Sequence, residues 1–156
     1  MGALLTSAAM TGAMARILDI VSDHATTRTQ FGRPLSKFQA IQHQLAEAQS
    51  ELSVTEAALA NALDAHDAGL CTTLLWRSAK AQAGTAASIV AATAHQVMGA
   101  VGFTVDHELH HFTKFLWQWR DSWGRQVACE RAIGDTACAA PDGLWTYITE
   151  TGKEPA

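Results

Sequence analysis

A chain of 156 residues has room for one domain with a core of useful size. Apolar residues make up 48% and charged residues only 17%, which excludes an intrinsically disordered chain. The formal net charge is −4 and no basic face is evident, so a nucleic-acid binder is not expected. Cys71, Cys129 and Cys138 make no paired framework. The expectation is a reducing, cytoplasmic compartment in which they serve as small buried apolar residues.

Residues 2–26 predict a first helix. Leu4, Ala8, Thr11, Ala15, Leu18 and Val21 share one stripe, and Leu5, Ala9, Ile17 and Ile20 widen it. Arg16 interrupts the apolar run and no basic segment precedes it, so it reads as a buried helix rather than a signal peptide or membrane span. Ser36 is the expected N-cap of a second helix over 37–67. Phe38, Ile41, Leu45, Ala48, Leu52, Leu59 and Leu63 form its stripe. Glu47, Glu51, Glu56, Asp64 and Asp67 form a solvated face, and Gly69 ends the helix at C′.

A third helix is predicted over 72–98. Its face is small: Ala79, Ala83, Ala86, Ala87, Ala91 and Ala94. Small residues let neighbouring backbones come close. Gly99 to Thr104 is a break, in which Gly99 and Gly102 permit positive φ or close approach of a ligand. Thr104 or Asp106 then caps a fourth helix with the stripe Leu109, Phe112, Leu116, Trp119 and Trp123. A bend at Gly124 leads to more helix as far as Ala139, and Pro141-Asp142-Gly143 stops it. Strand alternation and internal repeats are missing from the pattern. The expected architecture is an all-α, four-helix up-down bundle over 1–140, with an irregular tail over 141–156 on which Trp145 and Tyr147 dock.

The connector Arg28-Thr29-Gln30-Phe31-Gly32-Arg33-Pro34-Leu35 carries more than a turn requires. An arginine fork suits a phosphate or carboxylate, and an aromatic ring suits a flat heterocycle. On spacing alone, Arg28 and Arg33 could equally cap helix ends or pair with surface carboxylates.

Arg28-x-x-Phe31-Gly32-x-x-Leu35-x-x-Phe38-Gln39-x-x-Gln42 resembles the signature of the acyl-CoA dehydrogenases, in their C-terminal helical domain. Gln96-Val97-Met98-Gly99-Ala100-Val101-Gly102-Phe103-Thr104 is similar to that family's Gln-x-x-Gly-Gly-x-Gly-Phe/Tyr-Thr element. The resemblance covers residues 2 to 124. It implies that Arg28 contacts the pyrophosphate or adenine half of FAD and that Phe31 lines the flavin site. It also implies that Gln39 touches FAD and that Gln96, Val97, Met98, Gly99 and Ala100 cradle the dinucleotide. In the family these contacts reach an FAD held mainly by a neighbouring subunit. A helix N-terminus with nearby amides and an arginine is a ready anion site. Ala100 departs from the family's second glycine, and its methyl group could crowd the cofactor. The whole reading requires the two bends to meet at one end of the bundle.

The family abstracts the α-proton of an acyl-CoA thioester with a glutamate, a carboxylate held desolvated against the substrate. Its two known places fall, by counting, at about Trp123 or Gly124 and at about Gly2. Neither is acidic, so no catalytic residue is assigned. The family's N-terminal helical and middle β-domains also find no counterpart in these 156 residues. The sequence is then either part of a larger dehydrogenase or a short subunit that completes a partner's site, and the resemblance implies an oligomer, with itself or with a chain carrying the remaining domains, that dehydrogenates an acyl-CoA. A non-catalytic helical assembly subunit is the alternative from another class.

His107-Glu108-Leu109-His110-His111 satisfies His-Glu-x-x-His, a zinc hydrolase pattern when it lies on a helix. It is short, and His43, His66 and His95 offer no third ligand at a family-like spacing. No metal site is expected. In the run that follows, Phe115 and Trp117 fall off the core stripe and are expected to face another subunit.

Overall fold

The computed structural model describes residues 1–70, 73–141 and 143–150. Cys71, Thr72, Asp142 and the tail beyond Glu150 lie outside the described residues, and with them the expectations for Cys71 and for the helix stop at Asp142. Six α-helices are described: α1 Gly2–Thr27, α2 Gln39–Asp67, α3 Thr73–Met98, α4 Leu109–Asp121, α5 Gln126–Cys138 and α6 Gly143–Glu150. Between α1 and α2 lies a hairpin of two short antiparallel strands, β1 Thr29–Gln30 and β2 Arg33–Pro34, followed by a 3-10 turn at Leu35–Lys37. A second 3-10 turn, Gly99–Phe103, continues α3.

The up-down order follows from the contacts between helices. Glu51 accepts from Gln82 at 2.9 Å, so α2 and α3 run antiparallel with their ends at Ala68–Thr73. Lys80 reaches the carbonyl of Arg120, and His95 meets Thr113, so α3 and α4 are antiparallel too. The ring of Trp123 lies on Gly2 while Arg16 pairs with Glu108 at 2.8 Å, which sets α4 antiparallel to α1. Helices α1 and α3 therefore run the same way and bring their C-terminal ends to one pole. The expected all-α bundle is formed, with α5 packed on α3 and α6 on α5.

The core is built from Met10, Met14, Ile17, Leu18 and Val21 of α1, Ala48 and Leu52 of α2, the small face of α3, and Leu109 and Leu116 of α4. Ala83, Ala86, Ala87, Val90 and Ala94 have no exposed surface at all. The narrow alanine side chains let α1, α2 and α4 all reach α3. Two helices, α1 and Thr73–Phe103, are long and apolar enough to cross a membrane; 56% and 50% of their most apolar windows are buried inside the bundle.

Several boundaries differ from the sequence expectations. Ser36 does not cap α2: the 3-10 turn displaces the helix start, Phe38 takes the cap position in extended backbone, and Gln42 Nε2 donates to the Ser36 carbonyl. Neither Thr104 nor Asp106 caps α4. Thr104 turns its hydroxyl to Val101, and Glu108 precedes the first helical residue. The end of α2 is as expected, with Gly69 at φ +75. Gly69 N donates to His66 and Leu70 N to Ala65, the paired bonds of a Schellman cap. The bend expected at Gly124 is a full break at Ser122–Arg125, with Trp123 at φ +55 and Gly124 at φ +110.

Burial also departs in places. Leu5, Ala9 and Leu63, expected in stripes, are exposed, and Ala62 is buried in place of Leu63. Cys129 is buried as expected, but Cys138 is exposed. The start of the tail is helical rather than irregular, because α6 forms; Tyr147 is half-buried beside Arg77 and Ile133, while Trp145 is exposed. Phe115 and Trp117 are exposed.

Candidate functional site

The pole where α1 and α3 both end carries a groove of about 360 Å³. It is lined by His24, Arg28, Gln30 and Leu35 from one side and by Val97, Met98, Gly99, Ala100 and Val101 from the other. The local structure explains both walls. Residue Arg28 is the C-cap of α1 in extended backbone, and its amide donates to His24 at 2.8 Å. The hairpin then reverses the chain through Phe31 at φ +51 and Gly32 at φ +78. Two successive positive φ values make the type I′ turn whose twist matches the flanking strands. Leu35 N closes the loop on the Arg28 carbonyl at 2.9 Å.

The guanidinium is oriented by its neighbour. With its amide oxygen turned toward Arg28, Gln30 accepts from Nη2 at 2.9 Å and from Nε at 3.3 Å. Among the described residues the remaining donors of the fork meet no partner, which leaves them for an anion. Burial, then the charge of Arg28, then that of His107, push the His24 imidazole below its ordinary value. His24 therefore stands beside the arginine as a neutral ring. On the opposite wall Gly99 has φ +60, and nothing lies within 4 Å of the place a Cβ would take. A ligand can come directly against that backbone. Phe31 and Trp123 are the non-glycine residues with positive φ among those described, so Ala100 keeps an ordinary backbone without a glycine. Its methyl group forms part of the groove wall.

The groove gathers Arg28, Val97, Met98, Gly99 and Ala100 from the residues singled out in the sequence. Phe31, Gln39 and Gln96 stand outside its lining and are exposed. Phe31 sits at the hairpin tip, 92% exposed, with its ring edge-on to Phe38 at 6.3 Å. A bulky side chain in left-handed backbone costs about 1–2 kcal/mol, and such strain clusters at ligand clamps. Arg33 turns away from the groove and lies over the Phe38 ring at 4.1 Å. The contributions of His24 and Gln30 carried no sequence signal; polar residues near a helix end look the same whether or not a second helix faces them.

Behind the groove, Gly102 is packed so closely that an added Cβ would lie 2.9 Å from Met98 Cβ and 3.0 Å from a Leu109 methyl. The same glycine covers His95 Nδ1, which is buried and has no partner. Thr113 donates to the His110 carbonyl at 3.4 Å, so its oxygen accepts from His95 Nε2 at 3.1 Å. That fixes the neutral tautomer with the proton on Nε2, and burial pushes the imidazole below its ordinary value. In the unfolded chain this histidine takes its proton near ~6.5. In the folded chain it takes it at lower pH, so as pH falls through that window the unfolded state binds more protons and stability is lost. His95→Gln should therefore lose less melting temperature than the wild type between about pH 7.5 and about pH 5.5. Equal losses would show that His95 has no share in acid unfolding.

The His-Glu-x-x-His pattern does not form a helical pair. α4 begins only at Leu109, His107 Nδ1 accepts from Leu109 N at 3.1 Å, and Glu108 is paired with Arg16. No three His, Cys, Asp or Glu residues gather in a metal-holding group among the described residues.

Residues 1–120 match the family model for the acyl-CoA dehydrogenase C-terminal domain. This chain belongs to the acyl-CoA dehydrogenase family. It is 32% identical over 112 residues to the acyl-CoA dehydrogenase IpdE2 of Mycobacterium tuberculosis, a match covering 72% of this chain and 34% of that one. It is 29% identical to the acyl-CoA dehydrogenase FadE27 of the same organism, over 83% of this chain and 37% of the relative. The chain thus spans about a third of the length of these relatives. Among solved structures, the ChsE4–ChsE5 complex of Mycobacterium tuberculosis superposes with a TM-score of 0.86 at 27% identity, over 90% of this chain and 38% of that one. A glutaryl-coenzyme A dehydrogenase in complex with glutaryl-CoA gives 0.85 at 25% identity, over 88% and 35%. The Trp123 ring lies on Gly2 at the pole opposite the groove, so the stretches counted above, about Gly2 and about Trp123 or Gly124, are neighbours in space.

Proposed function

We propose that this chain is the FAD-contacting and assembly domain of an acyl-CoA dehydrogenase-like flavoprotein. The observation that carries the reading is the single groove shared by Arg28 and the Val97–Val101 backbone. An oriented guanidinium faces a bare glycine backbone there, which suits the diphosphate of a dinucleotide. Arg28, Gln30 and the Gly99–Ala100 backbone would hold that part of FAD, while Phe31, Gln39 and Gln96, exposed around the same region, would reach further along it. Bound there, FAD supplies the hydride acceptor for α,β-dehydrogenation of an acyl-CoA thioester. The groove is one wall and not an enclosure, so the rest of the cofactor is held by a second chain, either a copy carrying further domains or a different subunit. That the ChsE4–ChsE5 relative is a complex of two chains is consistent with this.

The test is flavin content in two preparations. Purified alone, the chain should lose FAD on gel filtration; purified with its partner, it should retain FAD in fixed proportion. Tight stoichiometric FAD on the isolated chain would overturn the shared site.

A further inference from the structure

The groove at Arg28 is walled by the C-terminal ends of two helices, α1 and α3, and not by a helix N-terminus. None of its lining residues belongs to α2 or α4, the helices that begin at this pole. A helix C-terminus presents carbonyl oxygens and the negative end of the helix dipole. The dipoles therefore oppose an anion here, and its attraction must come from side chains. Arg28 supplies one positive charge. Each phosphate of a dinucleotide diphosphate is negative, so one arginine leaves half of that charge unmet.

The other titratable side chain in the lining is that of His24. It stands one helical turn before Arg28, and both residues line the groove. Among the described residues the ring nitrogens of His24 meet no hydrogen-bond partner. His95, His107 and His110 each spend a ring nitrogen inside the fold. The charges that bear on His24 are those of Arg28 and, from the segment before α4, His107. Val97–Val101 bring no titratable side chain to the facing wall. Arg33 of the hairpin lies over the Phe38 ring, Glu108 is paired with Arg16, and Asp23 and Lys37 are exposed. No carboxylate lines the groove to meet a charged imidazole.

In the empty groove a charged His24 would repel Arg28 one turn away, so the ring stays neutral. A bound anion reverses that balance, because it attracts both cations, and the end of α1 favours a positive charge as well. A lysine at the same place would carry the repulsion whenever the groove stood empty. A histidine carries it only when the anion is there to offset it.

We infer that His24 is the second cation of this groove: it takes up a proton when a diphosphate binds, and shares that anion with Arg28. The inference rests on the diphosphate reading of the groove and adds a proton to it. Proton and anion strengthen each other's binding by the same factor. Anion affinity is therefore highest where His24 is charged, and falls as pH rises until the ring is neutral in the bound state too.

The test titrates the full chain with ADP-ribose, a diphosphate diester whose own charge is constant across the range. The His24 ring-proton resonance is assigned by its loss in His24→Gln. ADP-ribose should move its titration to higher pH, and affinity should rise roughly tenfold between about pH 7.5 and about pH 5.5. At about pH 7.5 His24→Gln should bind as the wild type does, and it should lose most of the rise. His24→Lys should bind as tightly at about pH 7.5 as the wild type does at about pH 5.5. Suppose ADP-ribose shifts the Arg28 and Gly99 resonances, but the His24 titration stays in place or His24→Gln keeps the whole rise. The proton link is then overturned and the groove reading stands. ADP-ribose that shifts none of these resonances overturns the diphosphate reading and the inference with it.

Discussion

Arg28→Ala, introduced into the complete assembly, should weaken FAD retention about 30-fold, measured as flavin remaining after extensive dialysis. An arginine making charge-assisted hydrogen bonds to a phosphate contributes on the order of 2 kcal/mol, and each ~1.4 kcal/mol is tenfold in affinity. Folding should hardly respond. Arg28 is exposed and, among the described residues, its fork bonds only to Gln30, so the melting temperature should move by no more than about 0.5 kcal/mol would dictate. Arg28→Lys keeps the charge but loses the planar fork, and should fall between the two. Gln30→Ala should show a smaller loss in the same direction, because it frees the guanidinium to turn. If Arg28→Ala retains flavin as the wild type does, the groove is not a cofactor wall. The chain is then a helical assembly subunit that has kept the motif for shape.

That prediction depends on residues 28 and 99 meeting, and the meeting was only half legible in the sequence. The stripe Leu109, Phe112, Leu116 and Trp119 points inward as its 3-4 spacing demands, and Gly69 closes α2 as its position demands. Local chemistry fixes such features. Trp123 continues the same spacing by one step, yet it lies outside, because the chain leaves the helix at Ser122 and periodicity has no meaning beyond that point. The hairpin was invisible for a related reason. Its strands are two residues long, too short for alternation, and its turn uses Phe-Gly where Asn-Gly or Asp-Gly would announce it. Lys80 reads as a solvated charge in any local window. Its burial depends on a carbonyl forty residues further along the chain. Family resemblance located Arg28 and the Gln96–Ala100 segment, but His24 and Gln30 entered the groove only through tertiary packing.

The largest effect on stability should come from Ala87→Leu. Ala87 is fully buried in the middle of α3, and the core around it draws on α1, α2 and α4 as well. Three added carbons there have no surface to reach. Ala83, Ala86 and Ala94 on the same helix are equally buried, so the backbones themselves would have to part. Overpacking a close-packed core costs about 1–3 kcal/mol, and the helix-to-helix approach here puts Ala87 at the upper end, roughly 10 °C in melting temperature for a domain of this size. Ala92→Leu is the matched control. It sits on the same helix but is exposed, and leucine loses little against alanine in helix propensity, so its melting temperature should stay near the wild type. Equal and small shifts for the two would mean that α3 packs less tightly than its alanines imply. The groove would then rest on a looser frame, because Val97 to Val101 keep their place opposite Arg28 only as long as α3 keeps its distance from α1.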